Sequence, residues 1–213
     1  MVKKTREESL VTRETILNAA IDVFFDKGVA RASLEEIAER AGVTRGAIYW
    51  HFRNKCDIFD ALHEQLHESV METILTDLET DHPQPLQQLE KLCVALLRDL
   101  ASDSSKCKVL SIFIMKSDYS GDMAVFLERQ HANKMKSIEL FAKYFERARK
   151  LGLLNESLDP HTVTLSLSFF MTGIVHEHVY YPGLFDLNKQ APELMKQFFS
   201  GLTEKLPVLP LPA

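Results

Sequence analysis

Apolar positions recur at helical spacing along almost the whole chain, and glycine and proline punctuate them. Ile16, Leu17, Ala20, Val23 and Phe24 share one helical face ahead of Gly28, so the spacing predicts a first helix over roughly residues 8–27. Leu34, Ile37, Ala38 and Ala41 form a second stripe. Ser33 followed three residues later by Glu36 is a capping box that opens this helix, and Gly42 is placed to close it in a left-handed conformation. Val43, Ile48 and Phe52 can face the stripe from the turn and from a third helix capped by Thr44. That leaves Arg45, Gly46, Tyr49, Trp50 and His51 outside the packing. Ala38 is small where the helices cross, and Gly42 sits where the backbone turns, so the segment has the pattern of a DNA-binding helix-turn-helix.

Asn54, with Asp57 in the following turn, predicts a fourth helix whose stripe is Ile58, Phe59, Leu62, Leu66, Val70, Ile74 and Leu78, reaching the acidic run before Pro83 and Pro85. Leu86, Leu89, Leu92, Cys93, Leu96, Leu97 and Leu100 give an amphipathic fifth helix. The nearly continuous apolar run from Cys107 to Met115 reads as a buried helix. Gly121 begins a long helix, with Met123, Phe126, Leu127, Met135, Ile138, Phe141, Phe145 and Ala148 on its stripe, that ends near Gly152. Asp159-Pro160 is an N-cap followed by proline at the first helical position; the helix it starts, about 160–180, is apolar nearly all round and so predicted to be covered on more than one side. Pro182-Gly183 breaks it. A last helix over about 190–206 carries Leu194, Met195, Phe198, Phe199 and Leu202. The proline-rich residues 207–213 read as a frayed end or a docking segment. No strand-period segment competes, and the expected fold class is all-α. It comprises a three-helix DNA-binding domain over residues 1–55 and a six-helix domain over 56–213.

Composition adds to this picture mainly through charge. The chain has 213 residues, 46% of them hydrophobic, with eight glycines and eight prolines, which suits a helix-rich globular protein with a large core. Residues 1–55 carry ten Lys/Arg against eight Asp/Glu, whereas the remainder carries fifteen against twenty-two. Lys3, Lys4, Arg6 and Arg13 form a basic arm diluted by Glu7, Glu8 and Glu14, suited to phosphate contacts rather than base reading. Cys56, Cys93 and Cys107 are odd in number and lack C-x-x-C spacing, which argues against a disulfide framework or zinc ribbon and fits a reducing cytoplasm. The charged N-terminus has no apolar signal region, and Val163 to Val175 is too short and too rich in Ser and Thr to span a bilayer. A soluble, cytoplasmic protein without a membrane partner is expected.

Several side chains carry possible chemistry. His63-Glu64-Gln65-Leu66-His67 is an H-E-x-x-H on a predicted helix, the pattern in which two histidines ligate zinc and the glutamate activates water. It is the competing reading, a zinc hydrolase, but its helix carries a core stripe, no third ligand follows at metzincin spacing, and no strand is present to bind a peptide. The two histidines are expected to flank the stripe at the surface. His176 and His178 diverge by roughly 200° on a helix and cannot share a metal. No Gly-rich phosphate loop, serine nucleophile elbow or C-x-x-C occurs, so neither a cofactor nor enzymatic activity is expected. Ten of the thirteen phenylalanines follow residue 56, and with Met115, Met135 and Met171 they can serve as core or line an adaptable apolar cavity. Lys55 opposes the dipole at a helix start; a phosphate held jointly by its ammonium and the helix-start amides explains the placement better than a harmless exposed lysine.

Gly42-Val43, Thr44 to Ala47, Tyr49-Trp50-His51-Phe52 and Asn54-Lys55 together resemble the TetR family of transcriptional repressors, and the match is dense over about the first sixty residues. With the opening Lys3-Lys4-Thr5-Arg6-Glu7-Glu8, the segment is most similar to the subgroup of repressors that control multidrug-efflux pumps of the Acr and Ttg type. The resemblance implies a homodimer on a palindromic double-stranded operator, released by a small lipophilic effector. The DNA-contacting set is then Ser33, Thr44, Arg45, Gly46, Ala47, Tyr49, Trp50, His51 and Lys55. Arg45 is the candidate for a base contact, and Tyr49, Trp50, His51 and Lys55 mainly hold phosphates. The family's ligands sit among the middle helices, which points to Leu66, Leu89, Leu92, Leu96, Leu110, Ile114, Phe141, Met171 and Thr172 as candidate ligand contacts. Helices near 160–180 and 190–206 are the expected dimer contacts, because their stripes exceed what one chain can cover. An architectural DNA-binding module without a ligand is the remaining alternative.

Overall fold

The computed structural model describes residues 6–119 and 123–203. Lys3, Lys4, Gly121 and the tail from Pro207 lie outside these described residues. Among them the elements are nine helices: α1 (Arg6–Lys27), α2 (Leu34–Ala41), α3 (Arg45–His51), α4 (Lys55–Leu78), α5 (Pro85–Ser102), α6 (Ser104–Met115), α7 (Ala124–Lys150), α8 (Pro160–Tyr180) and α9 (Leu187–Ser200). An all-α fold is what the periodicity predicts. The last helix departs from expectation, starting earlier and stopping at Ser200. Asp186 caps it by accepting from Lys189 N at 3.2 Å, and the chain turns after Ser200, where Leu202 N donates to Phe199 O.

Local chemistry sets most helix starts. Glu36 N donates to Ser33 Oγ while Ser33 N donates to the Glu36 carboxylate, completing the capping box of α2. Asn54, Asp103 and Asp159 accept in the same way from amides in the first turns of α4, α6 and α8. Gly42 closes α2 at φ 65°, a left-handed conformation that other residues adopt only with strain. Gly28 closes α1 at φ 78°, and a Cβ there would meet Lys116 O at 3.3 Å, so the residue serves both the turn and a close backbone approach.

Among the described residues, packing groups residues 6–69 with 103–119 and 123–132 as one compact unit, and residues 70–102 with 133–203 as another. Helices α4 and α7 each contribute to both. In the first unit α1 packs on α2 and α6, and the core gathers Ile16, Phe24, Ile37, Ile48, Ile58 and Phe59. Phe59 is its hub, meeting Phe113 at 4.8 Å and Phe126 at 4.9 Å edge to face. Truncation of so enclosed a ring costs about 3–5 kcal/mol. Asp22 on α1 binds Arg40 of α2 at 3.2 Å and Lys108 of α6 at 2.8 Å, joining three helices through one carboxylate.

In the second unit α5 packs along α9 around Leu89, Cys93, Leu97, Phe145, Met195 and Phe199. Buried Tyr144 donates to Asp77 Oδ2 at 2.6 Å, and Gln88 Nε2 donates to the carbonyls of Asp77 and Thr80, which satisfies the otherwise open end of α4. Burial also pushes the Cys93 thiol far up, leaving it an inert core side chain. The sequence predicts cover on more than one side of α8. Among the described residues full burial is confined to Val163, Thr164, Leu167, Ser168, Ile174 and Val179. Phe169 on the other side is 67% exposed.

Asp22 gives the first testable expectation. The hydrogen bond from Lys108, assisted by Arg40, holds its carboxyl below the usual range against the opposing effect of burial. A depressed folded pKa means stabilisation present above the unfolded value and lost as pH falls through the folded one. Asp22→Asn is therefore expected to cost about 1 kcal/mol at pH 7, roughly 2–4 °C in Tm. The gap should narrow as thermal melts are taken below about pH 4.

Candidate nucleic-acid interface

Helix α3 has seven residues, too few to be stable in isolation. Three things hold it. Thr44 Oγ1 accepts from Ala47 N at 3.2 Å, Val43 N donates to Ala38 O at 3.0 Å across the turn, and Ile48 and Phe52 are buried in the core of the first unit. With that side fixed, the opposite side faces outward. Arg45, Gly46 and Tyr49 are exposed, Trp50 is 72% exposed, and Ala47 and His51 are half-buried. The Trp50 and His51 rings meet perpendicularly at 4.5 Å, giving a firm aromatic corner at the end of the helix.

The charged groups on this face are organised. Glu35, in the first turn of α2, lies 3.3 Å from Arg45 Nη2 and accepts from the Tyr49 hydroxyl at 3.2 Å. The Arg45 guanidinium also stands 5.5 Å from the Tyr49 ring centroid. Glu35 was not among the residues singled out by sequence, although its place in an acidic first turn facing Arg45 was a usable signal. Lys55 is neither harmless nor fully free: its Nζ donates to Ala30 O at 2.5 Å and Ala32 O at 3.2 Å, tying the α1–α2 loop to the start of α4. The ammonium has three N–H donors, and these contacts use two of them. Ser33 is half-buried with its Oγ engaged as the cap of α2. Arg13, assigned by sequence to the basic arm, has its guanidinium 5.5 Å from the Phe52 ring.

A short, rigidly seated helix with an exposed arginine and aromatic side chains, preceded by a tight turn and a supporting helix, is suited to a DNA groove. Residues 16–62 match the bacterial regulatory proteins of the tetR family, and residues 84–203 match the C-terminal region of MAATS-type transcriptional repressors. The chain belongs to the TetR family. Among TetR-family relatives, the transcriptional repressor BepR of Brucella suis biovar 1 is 35% identical over 87% of this chain and 89% of its own. The solved structure of NalD, secondary repressor of the MexAB-OprM multidrug efflux pump in Pseudomonas aeruginosa, aligns with TM-score 0.80 at 32% identity, covering 93% of this chain and 99% of NalD. A SmeT–triclosan complex aligns with TM-score 0.81 at 31% identity over 95% of this chain and 100% of SmeT. These relatives are transcriptional regulators, and the chain is a TetR-family transcriptional repressor.

The H-E-x-x-H residues of this TetR-family chain sit differently from the surface position expected for them. His63 and His67 are half-buried on α4, and His63 meets the Phe113 ring at 5.3 Å. Burial, reinforced by His67, holds the His63 imidazole below its usual range and therefore neutral near pH 7. The helical register turns the stripe so that both rings reach the apolar margin. Among the described residues no cluster of three or more His, Cys, Asp or Glu side chains could hold a metal ion. The zinc-hydrolase reading has no support in the relatives named above. His176 stacks on Tyr180 at 4.3 Å and His178 meets Phe185 at 5.9 Å, so the two rings serve different neighbours. Among the described residues no helix is long and apolar enough to cross a membrane.

The nine candidate ligand contacts divide between the units. Leu66, Leu110 and Ile114 belong to the first, and Leu89, Leu92, Leu96, Phe141, Met171 and Thr172 to the second. Leu89, Leu92 and Phe141 are buried core, whereas Thr172 is exposed and accepts from Lys134 Nζ at 2.7 Å. Leu66 borders a 200 Å³ pocket with Ile21, Gln65, Ser69 and Lys106. A 510 Å³ apolar pocket in the second unit is lined by Phe169, Phe170, Ile174, Leu184, Phe185 and Leu194 among others, and by none of the nine.

Because Lys55 closes a loop through two carbonyls, Lys55→Met is expected to lower stability by about 1–2 kcal/mol. Urea unfolding with an unchanged m-value checks this; a midpoint equal to wild type would show the tie to be idle.

Proposed function

We propose that this repressor binds a palindromic duplex operator as a homodimer, through α3, and that a lipophilic small molecule releases it from a promoter of a multidrug efflux pump. The observation that carries the reading is the seating of α3: Ile48 and Phe52 buried, Arg45, Tyr49 and Trp50 presented outward. In this reading residues 1–55 recognise DNA, and 56–213 supply the ligand site and the dimer contact. Efflux control is supported by similarity to NalD and to SmeT, described as the repressor of the Stenotrophomonas maltophilia pump SmeDEF, and the lipophilic effector by SmeT's complex with triclosan. Ser33, Thr44, Gly46 and Ala47 complete the contact surface, while Arg45 reads a base and Tyr49, Trp50, His51 and Lys55 hold phosphates.

The operator is obtained by repeated selection from random duplexes. Its half-sites are expected about one helical turn apart or somewhat more. Arg45→Ala should cost about 1–3 kcal/mol on the selected site and relax preference at one base pair per half-site. Lys55→Met should weaken all duplexes alike and lower the salt slope by about 1. An Arg45→Ala variant with wild-type affinity and preference would remove α3 as the reading element.

The homodimer reading draws on α8, whose outward Phe169 and the apolar pocket it lines are left open by the described residues. A partner's α8 and α9 packing there would bury it in an isologous contact. Phe169→Arg is expected to shift the protein to monomer in sedimentation at micromolar concentration and to weaken operator binding by at least tenfold. A variant that stays dimeric would move the interface elsewhere.

Ligand release implies reciprocity. Whatever factor triclosan imposes on operator affinity, the operator must impose on triclosan affinity, typically about 1–3 kcal/mol. Calorimetric titration of triclosan into free protein and into the protein–operator complex measures it; equal affinities would leave no ligand-sensing role for that compound.

A further inference from the structure

We propose that Glu35 is a specificity-determining residue of the DNA-binding face: its carboxylate fixes the orientation in which Arg45 meets the duplex, and so trades general affinity for base discrimination. The inference rests on the DNA-binding reading above and deepens it.

Three side chains from two helices converge at one oxygen. Glu35 Oε1 lies 3.3 Å from Arg45 Nη2 and accepts from the Tyr49 hydroxyl at 3.2 Å, while the Arg45 guanidinium stands 5.5 Å from the Tyr49 ring centroid. The neighbouring acid, Glu36, is already engaged by Ser33 N and by Lys27, so Glu35 is the carboxylate of this turn directed at α3. The Arg45 and Glu35 side chains are 74% and 52% exposed. An ion pair so open to water contributes little to folding stability, and holding the helix together is not what this contact accomplishes.

What it does accomplish is orientation. An exposed arginine samples many rotamers and finds phosphates as readily as bases, because every duplex presents phosphates along both strands. Pinned at one guanidinium nitrogen and stacked toward Tyr49, Arg45 keeps its remaining N–H donors for an acceptor pair at one place, the arrangement that guanine O6 and N7 offer in the major groove. The carboxylate has a second effect. A negative charge on a surface that meets a polyanion weakens binding to every sequence alike, and only a duplex with the matching base edge regains the lost affinity. Discrimination is a difference of two affinities, and Glu35 acts on both.

Glu35→Gln keeps the size of the side chain and removes its charge. Wild type, Glu35→Gln, Arg45→Ala and the double variant are titrated against three duplexes at several salt concentrations. These are the selected operator, the operator with the Arg45-dependent base pair replaced, and a random duplex. Glu35→Gln is expected to bind random duplex about threefold to tenfold more tightly, as loss of one phosphate-repelling charge implies. Its preference for the operator over the replaced duplex is expected to fall about fivefold or more, within the range a bidentate contact supplies. In the Arg45→Ala background the random-duplex gain should persist and the preference should not change further. Tyr49→Phe, which removes only the hydroxyl from the cluster, should lose part of the preference without the random-duplex gain.

An undiminished preference in Glu35→Gln overturns the proposal while leaving operator recognition intact. A loss of preference that is as large in the Arg45→Ala background also overturns it, since Glu35 would then be reading a base itself. Wild-type protein that shows no preference for the selected operator over random duplex sinks the DNA-binding reading, and this inference with it. Glu35→Ala serves as the second variant, and thermal melts confirm that each protein is folded.

Discussion

The outward surface of α3 depends on the burial of two side chains. Helix α3 is too short to persist through its own hydrogen bonds, so its position is set by Ile48 and Phe52 in the core of the first unit. Those anchors fix the rotation of the helix about its axis, and the rotation decides that Arg45, Tyr49 and Trp50 point outward. The anchors in turn need a firm floor. Phe59 supplies it, wedged edge to face between Phe113 and Phe126, and Asp22 ties α1 to α2 and α6 around the same core.

Electrostatics on this unit is a matter of placement more than of totals. Several of the described cations of the first unit already have partners. Arg40 and Lys108 share Asp22, Lys27 holds Glu36, Lys55 holds two loop carbonyls and Arg45 meets Glu35. A count of lysines and arginines therefore overstates the free positive charge available to phosphates. Cations already held in place give up less freedom on meeting DNA, so fewer of them can act with greater selectivity.

The second unit solves a different problem. It must close a polar helix end inside an apolar interior, and it does so with Tyr144 on the Asp77 carboxylate and Gln88 on the last carbonyls of α4. Thr164 donates to Pro160 O at 2.7 Å, so the buried hydroxyl on α8 is satisfied within its own helix. The opposite side of α8 keeps Phe169 exposed at the mouth of a 510 Å³ apolar pocket.

The sequence by itself determined the helices and their punctuation. A cap such as Ser33 with Glu36, a stop such as Gly42 and the stripe of α5 are each decided within one or two turns, where the relevant partners are near in sequence. It also determined that Arg45, Tyr49 and Trp50 face away from the stripe, because the alternation of buried and free positions on a helix is itself local. The density of the Gly42 to Lys55 match made the family legible too. Tertiary structure alone decided what those side chains then touch. Lys55 finds carbonyls twenty-five and twenty-three residues earlier in the chain, Asp22 finds Lys108 eighty-six residues later, and His63 is drawn against Phe113 rather than left at the surface. It also decided that candidate ligand contacts of similar chemistry, Leu66 and Leu92, belong to different compact units, and that Phe169 on α8 stays exposed among the described residues. Hydrophobic periodicity marks which residues leave water but carries no information about which distant surface receives them, and that choice is made only when the whole chain packs.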